Sequence, residues 1–396
     1  MANAGVRRVL GCAALALVTA LAGCTAAAPL AEPRRASDLV PHPVDPIELY
    51  ADARLSVMTL DQKIGSMLMV HVPGLDVGSM AAFAAQNQVG GLILMGDNVP
   101  EPADQLAWMT PAMSPEPGLP LLLGIDQEGG IVRRIDTDVA ASAQELRFLD
   151  PSAARDAFAS RAALLASLGV SVNFGIVADV TGDPESFIYD RSMGATAVDA
   201  AARVAAAVEG ERGTVLSTLK HFPGHGVSPG DSHSSIPTTA ITLDEWRVDH
   251  EPPFAAGINA GAEFVMMGHL QFDAVDAQPA TLSPLWHQLL REELGFEGLI
   301  ITDDMAMLLN SGRPDLADPY QNAVRAAGAG NTMLLYVGAI DVPRVVAAIR
   351  DAVLAGTIDE SIIDDAARRI LVARRTLSGE TGPFVHCFDE CQAVIQ

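Results

Sequence analysis

Residues 213–233 read GTVLSTLKHFPGHGVSPGDSH, an apolar run followed by a stretch rich in glycine, proline and histidine. The run Val215–Leu219 predicts a buried strand, because it is short, apolar and preceded by a glycine. Three glycines and two prolines within residues 223–230 then exclude a helix. A loop with several ionisable side chains therefore leaves the end of a strand, which is where functional groups are commonly placed.

Seven other apolar runs have the same strand-like character, and helix-like stretches lie between most of them. The eight predicted strands are Met67–Val72, Gly91–Met95, Leu119–Ile125, Val170–Phe174, Val215–Leu219, Phe264–Gly268, Gly298–Thr302 and Thr332–Tyr336. Apolar strands that alternate with helices are typical of a parallel sheet covered on both faces. Eight such units predict a single (β/α)8 barrel of the TIM type. An open doubly wound sheet is the alternative, although no Gly-x-Gly-x-x-Gly follows the first strand.

A barrel makes a prediction that the sequence can test, because active groups collect at the carboxyl ends of its strands. Ionisable residues do follow five of the eight predicted strands. They are Asp126, Asp179 with the more distant Arg191, Lys220 with His221, His269, and Asp303 with Asp304. A single such residue would be an ordinary strand end or helix cap, but five strands favour one functional site.

The histidine loop, residues 221–233, has three interpretations. Its histidines are simply solvated, or His221, His225, Asp231 and His233 bind zinc, although their spacing fits none of the common zinc motifs. In the third interpretation the Asp231 carboxylate orients the imidazole of His233. Such a pair is a general acid and base suited to neutral pH.

The heptapeptide KHFPGHG at 220–226, followed by Asp231-Ser232-His233, resembles the signature of the family 3 glycoside hydrolases in their β-N-acetylglucosaminidase branch. The similarity extends from about residue 55 to about residue 371. It implies an exo-acting enzyme that removes terminal β-N-acetylglucosamine from a glycan or muropeptide. It also implies a retaining, two-step mechanism with no metal and no organic cofactor.

The resemblance assigns roles to individual residues of this chain. It implies that Asp303 is the nucleophile and that His233, oriented by Asp231, is the acid and base. The side chains implied to bind the terminal sugar are those of Asp126, Arg134, Arg191, Lys220 and His221. Three further residues are expected to support them from behind, namely His225, His269 and Asp304. The chain departs from the family at Ile131, where many members have arginine, and at Met193, where an aromatic residue is frequent.

Three alternatives stay open beside this function: a β-glucosidase, an N-acetylglucosaminide phosphorylase, and a sugar-binding lipoprotein without turnover. The formal net charge of −24 argues against nucleic acid as a partner. We expect a monomer.

The N-terminus predicts export. Arg7 and Arg8 precede an apolar stretch that is short for a membrane span, and Leu-Ala-Gly-Cys24 resembles a bacterial lipobox. We therefore predict a signal peptide at 1–23, a lipidated Cys24 with a flexible linker to residue 46, the barrel at 47–376 and a tail at 377–396. The protein would then be lipid-anchored to the outer face of the cell membrane. Cys387 and Cys391 are candidates for a small disulfide on that side.

Overall fold

A computed structural model of the chain describes residues 45–387 and 391–393. The predicted signal peptide, Cys24 and nearly all of the predicted linker lie outside the described residues. Among the residues that are described, no helix combines the length and the apolar character needed to cross a bilayer.

The described residues form twelve strands. They are β1 (Leu68–Val70), β2 (Gly91–Leu94), β3 (Leu122–Ile125), β4 (Val172–Val177), β5 (Leu216–Phe222), β6 (Thr238–Thr239), β7 (Phe264–Met267), β8 (Gln271–Phe272), β9 (Leu299–Thr302), β10 (Leu334–Tyr336), β11 (Val385–Cys387) and β12 (Cys391–Ala393). All eight predicted strands are present. β4 and β5 extend further than predicted, so Lys220 and His221 lie within the last residues of β5.

Eight of these strands form one parallel sheet in the order β10-β1-β2-β3-β4-β5-β7-β9. The two outer strands of this order also meet, because Ile301 forms a parallel bridge with Met333 and the Thr302 amide donates to the Met333 carbonyl at 3.1 Å. The sheet therefore closes into a barrel. The predicted (β/α)8 fold is confirmed, and the open-sheet alternative is wrong.

Fourteen α-helices lie within the described residues, most of them between consecutive barrel strands. They are α1 (Pro46–Leu55), α2 (Leu60–Ser66), α3 (Val77–Asn87), α4 (Leu106–Met113), α5 (Ala143–Leu146), α6 (Pro151–Ser167), α7 (Ala197–Glu211), α8 (Leu243–Asp249), α9 (Glu251–Asn259), α10 (Pro284–Gln288), α11 (Ala306–Asn310), α12 (Pro319–Ala329), α13 (Val342–Leu354) and α14 (Glu360–Ser378). Polar side chains cap the starts of ten of them. The Thr59 hydroxyl, for example, accepts from the Gln62 amide, and the Gln62 side chain accepts from the Thr59 amide.

Large apolar side chains fill the inside of the barrel. Phe174 on β4 is fully buried, and a Cβ atom at Gly124 on β3 would lie 2.6 Å from its ring and 3.2 Å from the sulfur of Met69. Only glycine fits at position 124 because side chains from β1 and β4 already meet there. The barrel is thus a packed core, and ligand space is left only at its ends.

The chain after α14 returns to the start of the barrel domain. The Phe384 ring packs edge-on against Tyr50 of α1, with the ring centroids 5.6 Å apart. β11 and β12 then pair antiparallel, with Cys387 opposite Cys391. The two cysteines thus lie on facing strands; their disulfide and the predicted domain boundaries stay predictions.

Candidate active site

A cavity of about 330 Å³ lies at the carboxyl ends of the barrel strands. It brings together eight of the predicted site residues, which come from separate connections of the barrel. They are Asp126, Arg134, Arg191, Lys220, His221, His233, Asp303 and Asp304. The other three contact the lining residues or their backbone: His225 and His269 are buried, whereas the side chain of Asp231 is partly exposed.

A buried carboxylate, Glu128, organises the cationic side of the cavity. Its Oε1 lies 2.6 Å from the ammonium of Lys220, and its two oxygens accept from Arg191 at 2.7 and 2.9 Å. Burial alone would raise the pKa of Glu128, but Arg191 and Lys220 lower it to about 2. Glu128 is therefore ionised at neutral pH and holds both cations in place.

Asp126 faces the cavity and is shared by two cations. Its carboxylate accepts from Lys220 at 2.9 Å and from Arg134 at 3.2 Å. The loop between Asp126 and Arg134 is braced by the buried side chain of Gln127, whose carbonyl accepts from the amides of Arg134 and Ile135 at 2.9 and 3.0 Å. Because Asp126 and Arg134 remain partly exposed, both can exchange hydrogen bonds with the hydroxyl groups of a ligand.

His221 is held by a buried aspartate. Its Nδ1 lies 2.7 Å from a carboxylate oxygen of Asp179, and its backbone amide donates to the same side chain at 3.1 Å. Its Nε2 lies 3.3 Å from Arg191, which can only donate, so the proton of the ring is on Nδ1. Burial would raise the pKa of Asp179, but His221 lowers it, so Asp179 stays ionised.

The two consecutive aspartates after β9 have different surroundings. Burial works against ionisation of Asp303, but His221, His269 and the amide of Asp304 more than offset it, and its pKa is lowered. One oxygen of Asp304 instead accepts from the amides of Ala306 and Val337 at 3.1 and 3.0 Å, and burial raises its pKa. Asp303 is thus an ionised carboxylate at the cavity, while Asp304 ties its own loop to the chain after β10.

His269 contacts the backbone of the loop that carries Asp303 and Asp304. It is fully buried, and burial lowers its pKa. Its Nε2 lies 2.9 Å from the carbonyl of Asp304 and therefore carries the proton, while Nδ1 lies 2.8 Å from the Thr281 hydroxyl. His269 fixes the backbone between the two aspartates, consistent with the supporting position expected for it.

Asp231 and His233 of the histidine loop are hydrogen-bonded to each other. Nδ1 of His233 lies 2.6 Å from Asp231, whose carboxylate also accepts from the His233 amide at 2.9 Å. The pair is largely exposed, with side-chain exposures of 61% for His233 and 42% for Asp231, yet His233 reaches the cavity wall. Its Nδ1 is occupied by Asp231, so Nε2 is the ring atom left for proton exchange with a ligand.

His225 has a different environment at the base of the same loop. Its amide donates to Asp179 at 2.6 Å, and its Nδ1 accepts from the Gly226 amide at 2.9 Å. Burial lowers its pKa to about 4, so the ring is neutral. Gly226 has φ of 95°, and a Cβ there would lie 2.8 Å from the Val180 carbonyl, so only glycine fits where the loop crosses the connection after β4.

The four histidine-loop residues considered as zinc ligands do not form a metal site. Across residues 45–387 and 391–393, no three His, Cys, Asp or Glu side chains are grouped so that they could hold a metal ion. The His221 and His225 rings are 6.1 Å apart, and both residues are hydrogen-bonded to Asp179.

Three residues of the site received no role from the sequence. Glu128 lies two residues after Asp126, and Asp179 is one of the ionisable residues that follow a predicted strand, so the sequence position of both pointed to the site. Nothing in the sequence pointed to Phe187. Its ring lies 5.5 Å from the rings of both His225 and His233 and lines the cavity.

Comparison with known proteins gives a consistent result. The model of the glycosyl hydrolase family 3 N-terminal domain matches residues 59–373. A β-hexosaminidase of Methylococcus capsulatus is 32% identical over 278 residues, which cover 68% of this chain and 81% of the relative. The β-hexosaminidase LpqI of Mycobacterium tuberculosis is 31% identical over 324 residues, covering 78% and 81%.

A solved structure agrees with these relatives. It is that of a glycoside hydrolase family 3 β-N-acetylglucosaminidase from Paenibacillus sp. strain FPU-7, which superposes with a TM-score of 0.75 at 32% identity. The match covers 84% of this chain and 65% of that chain.

Proposed function

Because the chain belongs to glycosyl hydrolase family 3, we propose that it is an exo-acting, retaining β-N-acetylhexosaminidase that removes terminal β-N-acetylglucosamine. One observation carries the proposal. The ionised Asp303 and the exposed His233 line the same cavity, and they come from different connections of the barrel. A carboxylate and a proton-transferring group around one small cavity are what a two-step glycoside hydrolysis requires.

In the first step the Asp303 carboxylate attacks the anomeric carbon of the terminal sugar. The bond to the leaving oxygen breaks, and His233 donates a proton from Nε2 to that oxygen. The lowered pKa of Asp303 keeps it ionised, as a nucleophile must be. The products of this step are a glycosyl-enzyme and the free aglycone.

In the second step His233 takes a proton from water, and the water oxygen displaces Asp303 from the anomeric carbon. Asp231, hydrogen-bonded to Nδ1, holds the ring and stabilises the imidazolium that forms. The anomeric configuration is inverted twice and therefore retained.

The remaining polar residues of the cavity bind the sugar in this proposal. Asp126 accepts hydrogen bonds from sugar hydroxyls, while Arg134, Arg191, Lys220 and His221 lie around it. Glu128 and Asp179 hold three of these side chains in fixed orientations before the substrate arrives. Such preorganisation reduces the cost of ordering the site on binding.

We further propose that the substrates are peptidoglycan fragments and that the enzyme acts in cell-wall turnover. The support is the exported, lipid-anchored location predicted from residues 1–24, which places the enzyme in the cell envelope beside this glycan. No metal or organic cofactor has a role in the mechanism.

The test is hydrolysis of 4-nitrophenyl β-N-acetylglucosaminide by the wild type, Asp303→Ala and His233→Ala. We expect turnover by the wild type, loss of at least about 10³-fold in Asp303→Ala and a smaller loss in His233→Ala, because a nitrophenolate leaves with little help from an acid. An NMR spectrum of the first product should show the β-anomer.

Other outcomes distinguish the alternatives. Faster cleavage of the glucoside would make the protein a β-glucosidase, and turnover only with added phosphate would make it a phosphorylase. A wild type that binds N-acetylglucosamine without turnover would leave a sugar-binding protein.

A further inference from the structure

The acid–base histidine is weakly held by its own loop. Within the described residues, the His233 side chain is hydrogen-bonded only to Asp231, two positions earlier. The loop between them and β5 contains three glycines with positive φ, and the His233 side chain is 61% exposed. Holding such a side chain in one orientation costs conformational entropy unless a contact from elsewhere restrains it.

Phe187 supplies such a contact from a different connection of the barrel. It follows β4, just before the 3-10 turn Tyr189–Arg191, whereas His233 lies between β5 and β6. The two rings form an edge-to-face pair, with centroids 5.5 Å apart and planes at 73°. This arrangement is among the favourable ones for aromatic pairs.

Phe187 is itself held by neighbours that belong to the rigid part of the site. The Arg191 guanidinium lies over its ring at 5.6 Å from the centroid, and the buried ring of His225 lies 5.5 Å away. Arg191 is fixed in turn by the buried Glu128. The phenyl ring thus links an exposed histidine to a buried ion cluster.

We propose that Phe187 is a positioning residue for His233, holding the imidazole over the cavity from outside the loop that carries it. The inference rests on the proposed role of His233 as acid and base. Phe187 makes no bond to the reacting atoms in this proposal and acts only through the histidine. It is 37% exposed and lines the cavity, so packing in the hydrophobic core does not account for a phenylalanine at this position.

The test uses aryl β-N-acetylglucosaminides whose leaving phenols differ in acidity: 2,4-dinitrophenyl, 4-nitrophenyl and phenyl. A dinitrophenolate departs without a proton, whereas a phenolate needs one. We expect Phe187→Leu to leave kcat/KM for the dinitrophenyl substrate nearly unchanged and to lower that for the phenyl substrate by about 2- to 10-fold. Phe187→Tyr keeps the ring and should behave as the wild type.

A double-mutant comparison separates positioning from a structural role. In a His233→Ala background, Phe187→Leu should have no further effect on any of the three substrates. Phe148→Leu is the matched control, because Phe148 is a more exposed phenylalanine that does not line the cavity. A cooperative thermal unfolding transition shows that a variant is folded. If Phe187→Leu does not fold, Phe187→Met replaces it in the same comparison.

Three results would overturn the inference: an equal loss on all three substrates, no loss on any, or a loss that persists in the His233→Ala background. The proposed function fails in a different way. If the wild type is inert on all three aryl glycosides, the acid–base role of His233 is contradicted, and the inference about Phe187 with it. If the wild type is active and Phe187→Leu has wild-type activity on all three, only the inference about Phe187 is contradicted.

Discussion

At the level of single residues, the buried carboxylate of Glu128 fixes the positions of two cationic side chains at the cavity. Glu128 is 2% exposed and forms ion pairs with both Arg191 and Lys220. Among the described residues it is the one ion-pair partner of Arg191, whereas Lys220 also pairs with Asp126. Burying three charged groups is tolerable only because they neutralise and hydrogen-bond one another. Removing the anion should therefore cost more than removing an ordinary ion pair.

We predict that Glu128→Gln lowers the free energy of unfolding at pH 7 by about 3–5 kcal/mol, because the buried Arg191 loses its counter-ion and the buried Lys220 loses one of its two carboxylate partners. The KM for 4-nitrophenyl β-N-acetylglucosaminide should rise as Lys220 and Arg191 lose their orientation. Urea unfolding and steady-state kinetics measure the two effects.

The control for this prediction is Asp136→Asn, which breaks the exposed pair of Arg133 and Asp136. It should cost no more than about 1 kcal/mol, because solvent screens exposed charges. Equal effects of the two substitutions would contradict the importance given to Glu128.

At the scale of elements, buried polar contacts join helices to strands behind the site. Glu211 ends α7 and is fully buried; one of its oxygens accepts from the Asn173 side chain on β4. Asn173 also accepts from the amide of Gln127, which braces the loop between Asp126 and Arg134. The helix is therefore connected to the loop between Asp126 and Arg134 through the side chains of Glu211, Asn173 and Gln127.

Burial raises the pKa of Glu211 to about 8, although Asn173, Ser217 and Arg161 lower it, and the nearby Glu263 raises it further. The folded protein therefore keeps a proton on Glu211 that the unfolded chain loses near pH 4.5. Because the native state binds more protons in this window, the contribution of Glu211 to stability is present below about pH 4.5 and is lost as pH rises to about 8.

We predict that Glu211→Gln removes this part of the pH dependence. The amide keeps the acceptor used by Asn173 but cannot ionise. Between pH 5 and pH 8, the variant should gain about 3–4 kcal/mol in unfolding free energy relative to the wild type. Urea unfolding across that range tests the prediction.

Glu209→Gln is the matched control, because Glu209 is exposed on the same helix. It should keep the wild-type profile. Profiles for Glu211→Gln and the wild type that stay parallel from pH 5 to pH 8 would show that Glu211 does not titrate in this range.

For the whole molecule, the sequence predicts attachment to the membrane through a lipid. The predicted lipobox ends at Cys24, outside the described residues, and a net charge of −24 gives the protein no general attraction to anionic lipid. Membrane attachment would therefore depend on the acyl chains at one cysteine.

We predict that Cys24→Ala moves the exported protein from the membrane fraction to the soluble fraction, because the residue that carries the lipid is lost. Cys12→Ala, within the predicted signal peptide, is the matched control and should leave the protein in the membrane fraction. Fractionation followed by mass analysis of the mature N-terminus provides the measurement. Retention of Cys24→Ala in the membrane would contradict a lipid anchor at that position.

The barrel, the positions of its eight strands and the ionisable residues that line the cavity could all be predicted from the sequence. This was possible because burial imposes an apolar pattern on each strand, and because parallel strands of a barrel bring their carboxyl ends to one side. Asp303 directly follows β9, and Lys220 lies near the end of β5. The roles expected for both residues came from the family resemblance.

The contacts between side chains that are distant in the sequence became known only from the folded structure. Glu128 binds Arg191 across 63 positions and Lys220 binds Asp126 across 94, and these contacts depend on how neighbouring strands are aligned. Phe187 has no signal in its local sequence, because its relation to His233 exists only after two separate connections pack together. The local pattern of apolar and polar residues indicates which residues are buried and where strands end. Contacts between residues distant in the sequence form only when the strands align and the barrel closes.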